Sequence, residues 1–221
     1  AYYWYGKKRK EALKYYTLAA NQGGSEAQFM LGKMYLLGMG TQKNYELGYH
    51  YMQLSIEQDH VMAQSTLGLF FYKGDGVEQN YQKALKYFTL AAEQGNDFSL
   101  HKLGEIYFKG LGVEKNMQQA FHYHKLAADK GNELSQFRLG MMHKDTLNFK
   151  ESFKYFKLSA DQGNEASQHA VGLAYISGQI EGIDRNDKRA VRYFKKSARK
   201  GYRDSQLMLD RICNEDPYLC R

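Results

Sequence analysis

The sequence predicts an all-α fold, an α-solenoid of tandem helix hairpins, and three observations predict it. The chain repeats itself: Gly32, Gly68, Gly104, Gly140 and Gly172 follow Leu31, Leu67, Leu103, Leu139 and Val171 at spacings of 36, 36, 36 and 32 residues. Three further columns move in register. An aromatic stands at Tyr35, Phe71, Tyr107 and Tyr175, with His143 in the fourth unit; an Asn stands at Asn44, Asn80, Asn116, Asn148 and Asn186; and a Gly closes the unit at Gly95, Gly131, Gly163 and Gly201. Within one unit, apolar residues fall twice at helical spacing. A unit of this size cannot bury its apolar face alone, so it must stack on its neighbours.

The unit Val61 to Asn96 shows how each element arises. Ala63, Leu67, Gly68 and Phe71 share one face of a first helix, and Tyr81, Leu85, Phe88 and Ala92 share one face of a second. Asn80 stands where its side-chain oxygen can accept a backbone N–H of the second helix, and Gly95 stands where a helix end needs positive φ. Between the helices, Lys73-Gly74-Asp75-Gly76-Val77 supplies a turn with an apolar plug at Val77. Gly68 inside a helix costs about 1 kcal/mol against Ala, so it needs a packing reason. The expected one is close approach of the second helix with the small Ala84 opposite, a position repeated by Ala12, Ala120 and Ala190 and imitated by Gly48 and Ser152.

Leu67-Gly68-x-x-Phe71, Ala84-x-x-x-Phe88, the Gly74-x-Gly76-Val77 loop and the Ala91-Ala92-x-x-Gly95 end resemble the Sel-one-like repeat, a relative of the tetratricopeptide repeat. The period of about 36 with this loop favours that family over the plain tetratricopeptide unit, whose period is about 34. The resemblance covers nearly the whole chain. It implies an α-solenoid that serves as a protein-binding scaffold or adaptor without catalysis of its own.

In order, residues 1–24 read as a truncated first repeat, the end of a first helix followed by a second helix from Gly6, with Tyr3 in the aromatic column and a solvated Lys7 to Lys10 run. Complete repeats follow at 25–60, 61–96 and 97–132. The first of these departs from pattern at Thr41, Gly48 and Asp59, so its second helix is expected to be the least secure. A short repeat at 133–164 lacks the Gly-x-Gly-Val loop and must turn more tightly through Met142 to Leu147. The repeat at 165–202 carries extra residues within Gly178 to Ile183, and 203–221 reads as a capping helix and tail. All are expected to form one solenoid domain, a right-handed superhelix of antiparallel pairs. The abrupt start suggests a piece of a longer protein.

Composition narrows the function. No apolar run is long enough to span a membrane. No Asn lies in an N-x-Ser/Thr sequon, which leans towards the cytoplasm. The two cysteines, Cys213 and Cys220, lack the repeat-by-repeat pattern of stapled relatives and are expected to be ordinary residues rather than a bridge. Gly74-Asp75-Gly76 and Gly110-Leu111-Gly112 recur as hairpin turns, not phosphate loops. His122 with His124, and His101 with His169, are placed so that neither pair converges on a metal. The residues offer no active site, metal site or cofactor site.

Charge is local. Arg185 to Arg203 holds nine Lys and Arg against one acid, Asp187, and the whole chain is only +7. Lys188, Arg189, Arg192, Lys195, Lys196 and Arg199 form a patch for an acidic protein segment, an anionic lipid or a nucleic acid, or else a solvated convex face on which Lys188, Arg192, Lys195 and Arg199 make one outward stripe. The stripe spacing favours solvation, and no aromatic-interleaved platform accompanies it, which argues against nucleic acid.

Binding information should lie in first-helix columns that packing leaves free. These are Phe29, Ser65, His101, Phe137 and His169; Met30, Thr66, Lys102, Arg138 and Ala170; and Lys33, Leu69, Glu105, Met141 and Leu173. The resemblance puts such helices on a concave surface, so a protein or peptide partner is expected there, with Phe29, His101 and Phe137 as anchors and Lys102, Glu105 and Arg138 setting charge preference. Self-association into a homodimer, or service as the regulatory or targeting segment of a larger multidomain enzyme or ligase complex, are the alternatives.

Overall fold

The computed structural model describes residues 2–220, with side chains from Lys8 onward; the expectations placed on Tyr3 and Lys7 concern side chains outside the described ones. Twelve helices follow one another among these residues: α1 (Tyr2–Asn21), α2 (Ser25–Leu37), α3 (Tyr45–Ile56), α4 (Val61–Lys73), α5 (Tyr81–Glu93), α6 (Asp97–Lys109), α7 (Met117–Asp129), α8 (Glu133–Asp145), α9 (Phe149–Gln162), α10 (Glu165–Ser177), α11 (Asp187–Arg199) and α12 (Arg203–Glu215), then a 3-10 turn at Pro217–Cys220. They form an α-solenoid of helix hairpins. Contacts divide the chain into two compact units, residues 1–120 and 121–221. In the first, α2 packs on α3 and α4 on α5; in the second, α8 packs on α9 and α10 on α11, with α12 closing the stack. At the start, α1 runs unbroken from Tyr2 through Gly6, so the expected turn before a helix at Gly6 is not made.

Each hairpin is closed by short-range chemistry. Asn44, Asn80, Asn116, Asn148 and Asn186 accept a backbone N–H three residues on, so the second helices start where the Asn column puts them. The same Asn residues also donate. Their backbone N–H groups bond the carbonyls of Tyr35, Phe71, Tyr107, His143 and Tyr175 at 2.8 to 3.0 Å, clasping the tip of every hairpin. The clasp survives the missing loop of the fourth repeat because Leu147 takes a left-handed φ of 59° to make the tighter turn. First helices carry caps of their own, from His60, Asn96, Asn132 and Asn164.

At the other end of the hairpins the repeats are joined by paired glutamines. The Nε2 of Gln58 donates to Gln28 Oε1 at 2.8 Å and to the Gly23 carbonyl at 3.1 Å. Gln94 does the same to Gln64 and Asp59, and Gln162 to Gln136 and Gly131. Each pair saturates a buried amide oxygen and ties one repeat to the closing turn of the one before it. Two joints differ: Leu100 and Lys130 stand in the glutamine columns of the 97–132 repeat, and at the last joint Lys200 donates to the Gly163 carbonyl while the buried Oε1 of Gln168 has no partner. Asp59, where the pattern asks for Gly, adopts φ 58° and completes its turn as the short polar side chain permits.

The core corrects two packing expectations. A Cβ on Gly68 would lie 2.8 Å from the ring of Phe88, not against Ala84; Gly140 meets Phe156 and Gly172 meets Phe194 in the same way. The glycine column therefore exists to seat the flat face of a second-helix ring. In the first complete repeat Met52 replaces the ring, and a Cβ on Gly32 would lie 2.9 Å from the Gly48 carbonyl oxygen, so there the small residue does stand opposite the glycine. The buried faces are also rotated from the expected ones: Phe70 rather than Phe71 is fully buried in α4, and Ala84, Phe88 and Ala91 bury the face of α5 while Tyr81, Leu85 and Ala92 are half-buried.

A third correction concerns the cysteines. Pro217 starts a 3-10 turn that folds the tail back on α12, the Cα atoms of Cys213 and Cys220 come to 5.6 Å, and the two form a disulfide. The folded-back tail also accepts a hydrogen bond from Lys195 Nζ at the Cys220 carbonyl, 2.6 Å away. Among the described residues no helix is long and apolar enough to cross a membrane.

Candidate partner-binding groove

The expected stripe does not lie uniformly at the surface. In the first unit, Phe29 is only 6% exposed and stacks on His60 with ring centroids 4.9 Å apart, which makes it a core residue. His101 and Glu105 are buried as well, Glu105 paired with Lys109 one turn on. Those three residues are thus set by packing, contrary to the sequence expectation that packing leaves them free. Met30, Lys33, Leu69 and Lys102 are half-buried. Lys33 lies over the Phe29 ring, and Lys102 lies over both Tyr72 and Phe98, where burial pulls its pKa below the usual lysine value.

In the second unit the stripe opens into a groove of about 620 Å³. Phe137, Met141 and Lys144 of α8 form one wall, and His169, Ala170 and Leu173 of α10 form the other. Phe149, Phe153 and Phe156 of α9 supply aromatic surface, and Ile180 and Tyr202 bound the ends. Phe137, Met141 and His169 are thus brought together as the stripe requires; Arg138, on the same helix, is half-buried and is not among the lining residues.

The reason a groove forms here is local. The fourth repeat has no Gly-x-Gly-Val loop, so only three residues separate α9 from α8, leaving Phe149 47% and Leu173 41% exposed on apolar walls. The longer tip of the fifth repeat then brings Gln179 and Ile180 to the rim. Sequence reasoning missed Phe149, Phe153, Ile180 and Tyr202; the one signal for them was the coincidence of a shortened repeat with a lengthened one.

Few polar groups interrupt the groove. Ser152 Oγ is spent on the Gly140 carbonyl at 2.8 Å. His169 is fixed by Ser205 Oγ at 2.9 Å from Nδ1 and wedged between the rings of Phe194 and Tyr202; burial holds its pKa below the ordinary histidine value, so at neutral pH it presents an uncharged ring. Lys144 is the one Lys or Arg among the lining residues. Such a surface suits aliphatic or aromatic anchors.

The basic residues of the last full repeat sit elsewhere. Lys188, Arg189, Arg192, Lys196 and Arg199 are exposed on α11, and Lys195 is half-buried beneath the disulfide-closed tail.

Comparison with known proteins follows the repeats. The family model described as Sel1 repeat matches residues 1–24, 25–60, 61–96, 98–132, 134–164 and 166–202. Among solved structures, a protective antigen of uropathogenic Escherichia coli with an SLR fold is similar at 28% identity and a TM-score of 0.82, over 94% of this chain and 45% of that one. A Sel1 repeat protein from Oxalobacter formigenes is similar at 28% identity and a TM-score of 0.78, over 87% of this chain and 80% of that one. A Sel1 repeat protein from Klebsiella pneumoniae shares the fold at 18% identity and a TM-score of 0.53, over 90% of this chain and 98% of that one. The chain thus spans under half the length of the E. coli antigen. No curated protein sequence matches it.

Proposed function

As the chain belongs to the Sel1 repeat family, we propose that it is a protein-interaction scaffold whose groove between α8 and α10 seats an apolar segment of a partner protein. The observation that carries this reading is the exposure of Phe149 and Leu173 on a groove otherwise walled by Phe137, Met141 and Phe153. Contiguous exposed apolar surface of this kind is costly in a folded chain unless a partner covers it. Aromatic pockets are also where interface energy concentrates. In this reading the chain holds a partner and does no chemistry on it, and the first-helix stripe is its inner wall.

A peptide-display selection on the purified protein tests it. Enriched sequences should share two aliphatic or aromatic anchors, and Leu173→Arg or Phe149→Asp, both at exposed positions, should weaken the selected peptides by more than about 2 kcal/mol while the melting midpoint stays close to the parent's. Selection without common anchors, or peptides that bind both variants at parental strength, would place the partner surface outside this groove.

A further inference from the structure

A second concavity, of about 540 Å³, lies in the same unit and has the opposite character. Lys157 of α9 and Arg189, Arg192, Lys195, Lys196 and Arg199 of α11 converge on it, with Tyr175 and Tyr193 between them and no carboxylate in its lining. Two of the cations are occupied: Lys157 is paired with Asp161, and Lys195 donates to the Cys220 carbonyl. Arg189, Arg192, Lys196 and Arg199 have no acidic partner among the described residues, so the groove collects like charges that repel one another until an anion enters.

The spacing says what kind of anion. These four residues lie at i, i+3, i+7 and i+10 on one helix, a row of roughly 15 Å at roughly 1.5 Å per residue. An extended peptide places alternate side chains on one face about 6.6 Å apart, so three carboxylates in alternation cover roughly 13 Å of that row. The aromatic walls exclude a different occupant. Arg189 lies over Tyr175 at 5.6 Å, Lys157 and Lys196 lie over Tyr193 at 5.8 and 5.5 Å, and the two rings stack on each other at 6.0 Å. The ring faces are therefore spent on cations and on each other, and none is left as the stacking platform a single-stranded nucleic acid uses. Recognition here is by charge.

We propose that this groove binds an acidic segment of a partner protein, its carboxylates in alternation facing Arg189, Arg192, Lys196 and Arg199. The site is independent of the apolar groove, because none of its lining residues is shared with it.

The test is fluorescence anisotropy with a labelled peptide of about ten residues alternating Glu and Ala, its Gln counterpart, oligothymidylate, and vesicles containing phosphatidylserine. The Glu peptide should bind saturably, the Gln peptide should not, and affinity should fall as salt rises from about 50 to 200 mM. Arg192→Glu with Arg199→Glu, both exposed positions, should weaken binding at least about tenfold with an unchanged melting curve, and Arg192→Lys with Arg199→Lys should keep most of it. Should the reversed pair fail to fold, Arg192→Ala alone serves and should weaken binding about threefold or more. The proposal is overturned by absent peptide binding, by equal binding to the charge-altered variants, or by tighter binding of oligothymidylate or vesicles than of the Glu peptide. A null result here leaves the display selection on the apolar groove unaffected, so the two readings fail separately.

Discussion

Gln94 joins two repeats through a single amide, its Nε2 donating to Gln64 Oε1 at 2.9 Å and to the Asp59 carbonyl at 3.0 Å. Gln64 is 2% exposed, so in the folded chain its amide oxygen depends on this donor. Gln94→Ala should cost about 1–3 kcal/mol, the penalty of a buried acceptor left unmade. The opposite change is available at the last joint, where Lys200 bonds Gly163 and leaves Gln168 Oε1 unpartnered. Lys200→Gln should reach both acceptors, as Gln162 does, and stabilise by up to about 1 kcal/mol in urea denaturation. Neutral results at both positions would show that the glutamine pairs do not hold the repeats together.

The glycine column makes a prediction about overpacking. With a Cβ at Gly68 already 2.8 Å from the Phe88 ring, Gly68→Leu must displace that ring or the helix that carries it. We expect a loss of about 1–3 kcal/mol despite the better helix propensity of Leu. Hydrogen exchange should localise the damage to α4 and α5, and an unchanged melting midpoint would refute the ring-seating account.

The Cys213–Cys220 bridge closes a short loop, so its removal should weaken α12 by at most about 2 kcal/mol. In the Cys213→Ser, Cys220→Ser variant, amide exchange should quicken in Arg203–Glu215 and leave α8 and α9 as they were. The same variant should free Lys195 from the Cys220 carbonyl, to which it donates in the parent. Exchange that matches the parent throughout α12 would mean that the tail stays docked without the bond.

Burial lowers the pKa of His169 and, for the same cause, that of His143. A folded-state value below the unfolded one means that the unfolded chain takes up protons more readily. Both groups therefore contribute stability that is present above their unfolded value near pH 6.5 and lost as pH falls through the folded values. The urea midpoint should drop between about pH 7.5 and 5, and His169→Gln should flatten part of that slope. A variant with the parental slope would exclude His169 as a contributor.

How far the sequence could carry the fold depended on the range of the interaction. Asn80 as a cap and Gly95 at positive φ answer to their own turns, so their columns could be read directly. Gln64 and Gln94 recur too, broken by Leu100, Lys130 and Lys200, yet a polar column on a helix looks solvated until the next hairpin is laid across it. Phe29 next to the core stripe looked free for the same reason, because only the fold shows His60 stacked on it. The disulfide required knowing that Pro217 turns the chain back. The groove required three helices and two unusual tips to be placed together, and no single column of the sequence records that.

The clasp at the hairpin tips has a consequence for how such a chain can change. Asn148 bonds the His143 carbonyl five residues before it and Asn186 the Tyr175 carbonyl eleven before it, with the same N–H and nearly the same length. Each tip is therefore a permissive site: peptide can be grafted into it or trimmed from it without rethreading either helix, since the closing bond lies beneath the edited segment. Gln179 and Ile180 show what such an edit does, because they belong to the longest tip and stand on the rim of the apolar groove. Rim shape can thus drift by insertion and deletion at one end of the hairpins, while the glutamine joints at the other end keep the register.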